Sequence, residues 1–310
     1  MTLHNVFIDG AAGTTGLEIA ERLAGRTEFA LVTLDEARRK DPAARREALN
    51  EADFAVLCLP DDAAREAVAL IDPASPVRVI DASTAHRVAP GWVYGFPEVV
   101  GHTVVAEAQR VSNPGCYSTG FIALVAPLVR AGLLPADWPY SCNAVSGYSG
   151  GGKSLIARFD ADADIAWRGY ALGLGHKHVP EMQQRCGLSQ PPLFTPAVIP
   201  AHRGMVVEVP LPLAAMPGAG TPEAMREWLT AFYGASRVVR MGAEPEGGEL
   251  LLRRSAQPSD ALELYVFASR EATQARLVAV LDNLGKGASG AAVQSLNLMA
   301  GLDETAGLRL

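Results

Sequence analysis

Val6-Phe7-Ile8-Asp9-Gly10-Ala11-Ala12-Gly13-Thr14-Thr15-Gly16 runs from a short apolar stretch through evenly spaced glycines into Leu17, Ile19, Ala20 and Leu23, whose spacing is that of a helix face. The order is strand, glycine-rich turn, helix. Glycines in such a turn let the backbone approach a pyrophosphate, and the helix N-terminus offers it N–H groups. The spacing is GxxGxxG rather than GxGxxG, so placement behind an opening strand, more than the string itself, points to a dinucleotide site at Gly10, Gly13, Thr14, Thr15 and Gly16. A purely structural tight turn is the competing reading.

The same alternation continues downstream. Residues 30–34, 53–60 and 77–81 are apolar strand runs, with a helical pattern at 63–70, which predicts an α/β fold built on a doubly wound, Rossmann-like parallel sheet. Asp35 closes the second strand where an NAD enzyme places its ribose-binding carboxylate. Arg38, Arg39 and Lys40 follow at once, and cations there suit a 2′-phosphate, so NADP(H) is expected, with Arg38 and Lys40 as candidate contacts and a solvated helix start as the competing reading. Cys58 lies in a strand run and reads as core. Ser83 and Arg87 fall just after the strand at 77–81, at the edge where such sheets bind ligands.

Composition narrows the class. The 310 residues suit about two domains, and 49% hydrophobic with 20% charged residues describes an ordinary globular protein. A formal charge of −7 disfavours nucleic-acid binding. Four cysteines make neither a disulfide framework nor a metal motif, which fits a reducing compartment. Residues 1–5 carry no basic leader, and no apolar run reaches membrane-spanning length, because the richest meets Pro127 and Arg130. A cytoplasmic protein that crosses no membrane is expected.

The chemistry gathers around Val111-Ser112-Asn113-Pro114-Gly115-Cys116-Tyr117-Ser118-Thr119-Gly120. Pro114 and Gly115 make a turn, residues 121–129 read as a buried helix, and Cys116 stands at its start, where unpaired N–H groups and the helix dipole favour a thiolate. Beyond it the pattern changes to a second, α+β region. Residues 141–146 alternate like a half-exposed strand and lead to a second glycine-rich loop, residues 147–154, where Lys153 can neutralise a phosphate. A flexible surface hairpin is the plainer reading of that loop. Residues 172–182 bring His176 and His178 together. With no convincing third ligand a metal is not expected, and one of the two is read as a general acid/base beside Cys116. In an extended segment their i, i+2 spacing puts both on one side; His178 is slightly preferred. Arg203 is available to an anionic substrate or to a surface salt bridge. Antiparallel strands are expected at 250–253 and 261–268, and a terminal helix at 291–299 whose apolar face needs a partner.

With these residues collected, the chain resembles the N-acetyl-gamma-glutamyl-phosphate reductases of arginine biosynthesis, in their shorter form, within the aspartate-semialdehyde dehydrogenase-like group. The likeness spans essentially the whole chain. It rests on GAAGTTG at 10–16, DASTAHR at 81–87, NPGCYST at 113–119, SGYSGGGK at 146–153, HKHVPE at 176–181 and DNLGKGASGAAVQSLNLM at 282–299, all in order. The resemblance implies that Cys116 is a nucleophile for an acyl phosphate, that His178 or His176 moves the proton, and that NADPH reduces the resulting thioester. It adds Pro60, Ser83, Ser149, Gly150, Gly151 and Asn283 to the cofactor contacts, and Asn113, Arg87, Ser146, Lys153 and Arg203 to the substrate contacts. It also implies a cofactor domain of residues 1–115 plus 287–310, completed by the terminal helix, a catalytic and oligomerisation domain of residues 116–286, and a homo-oligomer, dimer or tetramer. Its rivals are a reductase of aminoadipyl or carrier-bound glutamyl phosphate and a non-catalytic NADP-binding redox sensor. The sensor leaves the histidine pair, Arg203 and the second glycine loop without a task.

Overall fold

The computed structural model describes residues 3–310, so the first two residues of the stretch 1–5 lie outside the described residues. The chain divides into two compact units, Met1–Pro114 with Ala288–Leu308, and Gly115–Gly287 with Arg309–Leu310.

In the first unit β1 (His4–Asp9), α1 (Thr14–Leu23), β2 (Phe29–Val32), α2 (Pro42–Glu51), β3 (Phe54–Leu57), α3 (Asp61–Ala69) and β4 (Arg78–Asp81) alternate. They are followed by β5 (Val93–Tyr94), two short helices α4 (Pro97–Val100) and α5 (His102–Ala106), and β6 (Arg110–Ser112). The sheet order is β2-β1-β3-β4-β6-β5, and every pairing is parallel. The chain turns outward from β1 to β2 and then crosses back to β3, so the switch point of this doubly wound sheet lies between β1 and β3, at the strand ends next to Gly10. The terminal helix α10 (Gly290–Met299) belongs to this unit. Its Val293, Leu296 and Met299 share one core with Val6, Ile8, Ile19 and Ile80, which gives the apolar helix its partner.

The second unit holds α6 (Cys116–Arg130), β7 (Ser141–Gly147), α7 (Gly152–Ala161), β8 (Arg168–Gly169), α8 (Val179–Cys186), β9 (Leu193–Ile199), β10 (Met205–Leu211), α9 (Pro222–Phe232), β11 (Val239–Met241), β12 (Leu262–Ala268) and β13 (Ala275–Leu281). Its mixed sheet runs β11-β12-β13-β10-β7-β9-β8. Helix α6 is apolar on all sides and buried from Tyr117 to Leu128. It lies so close to the sheet that a Cβ on Gly120 would stand 2.8 Å from Val207 and 3.3 Å from Ala279. Pro127 does not end it. The carbonyl of Ala123, which an ordinary residue at 127 would have bonded, accepts instead from the Tyr233 hydroxyl at 2.9 Å.

Three sequence expectations are corrected here. Residues 250–253 form no strand: Gly247 and Gly248 turn the chain with φ of +65° and +71°, and Leu251 is left exposed. Strand β12 lies between β13, which runs antiparallel to it, and β11, which runs parallel. The second glycine-rich stretch is neither loop nor hairpin; residues Tyr148–Gly151 make a 3₁₀ turn that feeds α7, anchored by Tyr148 N–H to Ala201 O (2.9 Å) and Ser149 N–H to His202 O (3.2 Å). The segment with His176 and His178 is not extended, since His178 has helical φ/ψ (−85°, −15°) as the N-cap of α8.

Candidate active site

In the first unit the turn after β1 fits a dinucleotide. Gly10 has φ +88°, and a Cβ on it would lie 2.3 Å from the Cys58 carbonyl oxygen, so no other residue is accommodated. A Cβ on Gly16 would meet the Gly10 oxygen at 2.6 Å. Helix α1 starts at Thr14 behind Gly13 with no side-chain cap, leaving the helix front to a phosphate. Arg38 and Lys40 are exposed, and Arg38 pairs with Glu47 at 3.0 Å while Asp35 accepts the Arg38 N–H at 2.8 Å. Arg45, from the same basic stretch, turns inward to Asp9. Pro60 is the N-cap of α3.

At the end of β4, fully buried Asp81 accepts from the Ser83 N–H (2.9 Å) and hydroxyl (2.8 Å) and stands 2.6 Å from His86 Nδ1. The His86 ring is stacked on Trp92 at 4.1 Å. Arg87 and Asn113, expected to touch substrate, are both buried and hold backbone. Arg87 Nε donates to Asn113 O (2.9 Å), and Asn113 donates through its N–H to Asp81 O (2.7 Å) and through Nδ2 to Ala288 O (3.0 Å). They fix the segment that leads to Cys116.

In the second unit Cys116 is the first residue of α6, behind Gly115, and no side chain caps this helix. Glu181, in the first turn of α8, is 1% exposed; its Oε2 accepts the Gly115 N–H at 3.2 Å and its Oε1 lies 4.0 Å from His178 Nε2. One carboxylate thus links the turn that carries the thiol to the buried imidazole. His176 Nδ1 accepts the His178 N–H at 3.1 Å, and the two rings stand 4.6 Å apart, nearly perpendicular. The pair is adjacent, but through a turn rather than through strand alternation. Tyr117 faces both rings, at 6.1 Å from His176 and 5.8 Å from His178, and Tyr170 lies 5.5 Å from His176. Burial pushes the Tyr170 phenol up to about 12; the Tyr117 hydroxyl works against this and the neighbouring Cys116 sulfur adds to it. Burial raises the Tyr117 phenol further, with Ser146 holding it down through a hydrogen bond. Neither tyrosine is a base at neutral pH.

The other expected residues of this unit form a second group. Asn283 Nδ2 donates to Ser149 Oγ (2.9 Å) and its Oδ1 accepts the Gly204 N–H (2.9 Å), while a Cβ on Gly150 would lie 3.4 Å from Asn283 Nδ2. Gly151 is tight against Leu155. Arg203 is paired with Asp282 at 2.8 Å, and Lys153 is exposed near the start of α7. Sequence reasoning gave no role to Glu181, Tyr117 or Tyr170. Only Glu181 carried a signal: an acid three residues after His178, behind a proline, in a first helical turn.

Comparisons with known proteins agree with this layout. Residues 5–107 match the semialdehyde dehydrogenase NAD binding domain, and residues 116–283 match the semialdehyde dehydrogenase dimerisation domain. The N-acetyl-gamma-glutamyl-phosphate reductase of Trichormus variabilis is 48% identical, over 99% of this chain and 100% of that protein. The enzyme of the same name from Burkholderia ambifaria is 51% identical, over 97% and 98%. The chain belongs to the N-acetyl-gamma-glutamyl-phosphate reductase family. Among solved structures, aspartate semialdehyde dehydrogenase II from Vibrio cholerae, complexed with ASA, superposes with TM-score 0.70 at 17% identity, covering 97% of this chain and 99% of that one. The Francisella tularensis aspartate semialdehyde dehydrogenase also gives 0.70, at 12% identity and 96% and 100% coverage. At those identities the fold is what the reductase family shares with them. Among the described residues no helix is long and apolar enough to cross a membrane.

Proposed function

We propose that this chain reduces N-acetyl-L-glutamyl 5-phosphate to N-acetyl-L-glutamate 5-semialdehyde and phosphate with NADPH, in the arginine biosynthesis of the cytoplasm. The observation that carries the chemistry is Glu181, which joins the Gly115 N–H beside Cys116 to His178. Cys116 Sγ attacks the acyl phosphate carbonyl, and the open N-terminus of α6 supplies N–H groups for the oxyanion. The C–O bond to phosphate breaks and a thioester to Cys116 remains. The Gly10 to Gly16 turn, with Ser83 nearby, would hold NADPH, which would supply the hydride for reducing the thioester. His178 protonates the oxygen of the resulting thiohemiacetal and takes that proton back as the C–S bond breaks, which releases the aldehyde and restores the thiolate. Glu181 keeps the imidazole oriented through this cycle, and His176, by accepting the His178 N–H, fixes the turn that presents it. Arg203, held by Asp282, and Lys153 are assigned to the anionic groups of the substrate.

The chain acts as an oligomer of itself, which the match of residues 116–283 to a dimerisation domain supports. The reverse reaction is the test: oxidation of N-acetylglutamate semialdehyde that requires both phosphate and NADP, followed at the NADPH absorbance. Silence there, with turnover of an aminoadipate semialdehyde, would replace this substrate with its longer homologue.

A further inference from the structure

Asp9 is an unusual residue to find under a phosphate-binding turn. It ends β1, next to Gly10, at the switch point of the parallel sheet, and is 4% exposed. A bare carboxylate there would oppose an incoming pyrophosphate through a medium that screens poorly. Arg45 meets it from α2, with Nε and Nη2 both donating to Asp9 Oδ2, at 3.0 and 2.8 Å. Arg45 Nη2 also reaches Ala63 O at 3.5 Å, so the guanidinium is held by α3 as well.

We propose that Arg45 is a positioning residue for the cofactor, which cancels the charge of Asp9 so that the Gly10 to Gly16 turn accepts a dinucleotide pyrophosphate. The inference rests on the NADPH reading above and adds to it a residue outside the glycine turn. It separates Arg45 from Arg38, Arg39 and Lys40, which remain at the surface. Burial pushes the Asp9 carboxyl up, and Arg45 draws it back. Ionisable groups on the neighbouring strand ends include the Cys58 thiol just after β3, pushed up to about 12 by burial and by Asp81 and Asp9, and Asp81 of β4, which is bonded to Ser83 and His86. Cys58 therefore stays neutral between pH 6 and 9.

The test is the dissociation constant of NADPH, measured by fluorescence titration of the full chain from pH 6 to pH 9. Wild type, Arg45→Met and Asp9→Asn/Arg45→Met are compared, with thermal unfolding as the check of folding. Losing Arg45 alone weakens NADPH by about tenfold relative to the double variant, because only the single variant keeps a carboxyl at residue 9 with no guanidinium beside it. The double variant stays within about twofold of wild type throughout. Titration of the cofactor's own 2′-phosphate is common to all three and cancels in the ratio. An Arg45→Met protein that binds NADPH as tightly as wild type at every pH, or a double variant as weak as the single, overturns the proposal. Should Arg45→Met fail to fold, the double variant decides, and weak NADPH binding by it overturns the proposal equally. Failure of wild type to bind NADPH would instead overturn the proposed function.

Discussion

Gly287→Ala places one methyl group against the nucleophile. Its Cβ would stand 2.9 Å from Cys116 Cβ, 3.4 Å from Cys116 Cα and 3.1 Å from the Asp282 carbonyl oxygen. The first distance is about 0.6 Å short of the ~3.5 Å at which carbon atoms meet without repulsion. The Gly287 side resists, because its N–H is bonded to Asp282 O at 3.1 Å. Helix α6 resists too, since Gly120 already sits against Val207 and Ala279. The strain therefore falls on the Cys116 side chain. A displacement of several tenths of an ångström at the attacking atom costs about tenfold to a hundredfold in kcat, and overpacking costs about 1–3 kcal/mol of stability. With a melting shift of roughly 2–4 °C per kcal/mol, Tm falls by about 2–12 °C. The assay pairs steady-state turnover in the semialdehyde direction with a circular-dichroism melt and the rate of iodoacetamide inactivation. Gly173→Ala is the companion variant, as a Cβ there meets nothing within 4 Å. Gly287→Ala with a lowered Tm and kcat within about twofold of wild type would refute the claim that the strain lands on the thiol.

Cys116→Ser should abolish turnover and leave NADPH binding intact; near-normal turnover would end the thioester mechanism. Single-turnover comparison of His178→Ala with His176→Ala should show the larger loss, about a hundredfold or more, at His178, because that ring adjoins Glu181; equal mild losses would mean neither carries the proton. At pH 8 a thiol reagent should label Cys116 first. Cys58, pushed up to about 12, is thiolate in only about one molecule in ten thousand, and burial also raises Cys142 and Cys186. Mass spectrometry that found Cys58 alkylated as fast as Cys116 would contradict this ordering.

The glycine turn and the start of α6 were legible in the sequence because each is local: apolar run, Gly or Pro-Gly, then helical spacing. The neighbourhood of His176 and His178 was legible, but its geometry was not, since the i, i+2 spacing is compatible with a strand and with the helix cap that forms. Residues 250–253 read as a strand by composition, whereas pairing depends on a neighbouring strand that no local pattern encodes. Arg45 and Glu181 mark the limit of a local reading. Arg45 has no local signal and Glu181 only its place in a first helical turn, and each gained its role from a partner 36 or 66 residues away.

The return of α10 to the first unit sets an order of events on the ribosome. Val6 and Ile8 share their core with Val293, Leu296 and Met299, so the earliest strand waits for one of the last helices to be synthesised. The second unit, Gly115–Gly287, is made in between, and at about 5–20 residues per second this delay lasts roughly ten to thirty-five seconds. Throughout it the nascent first unit exposes the apolar surface that α10 will cover, whereas the second unit's sheet and central helix are complete once β13 has been made. The later half of the polypeptide is therefore free to fold first, and a holdase acting on this chain would find its binding site near the N-terminus.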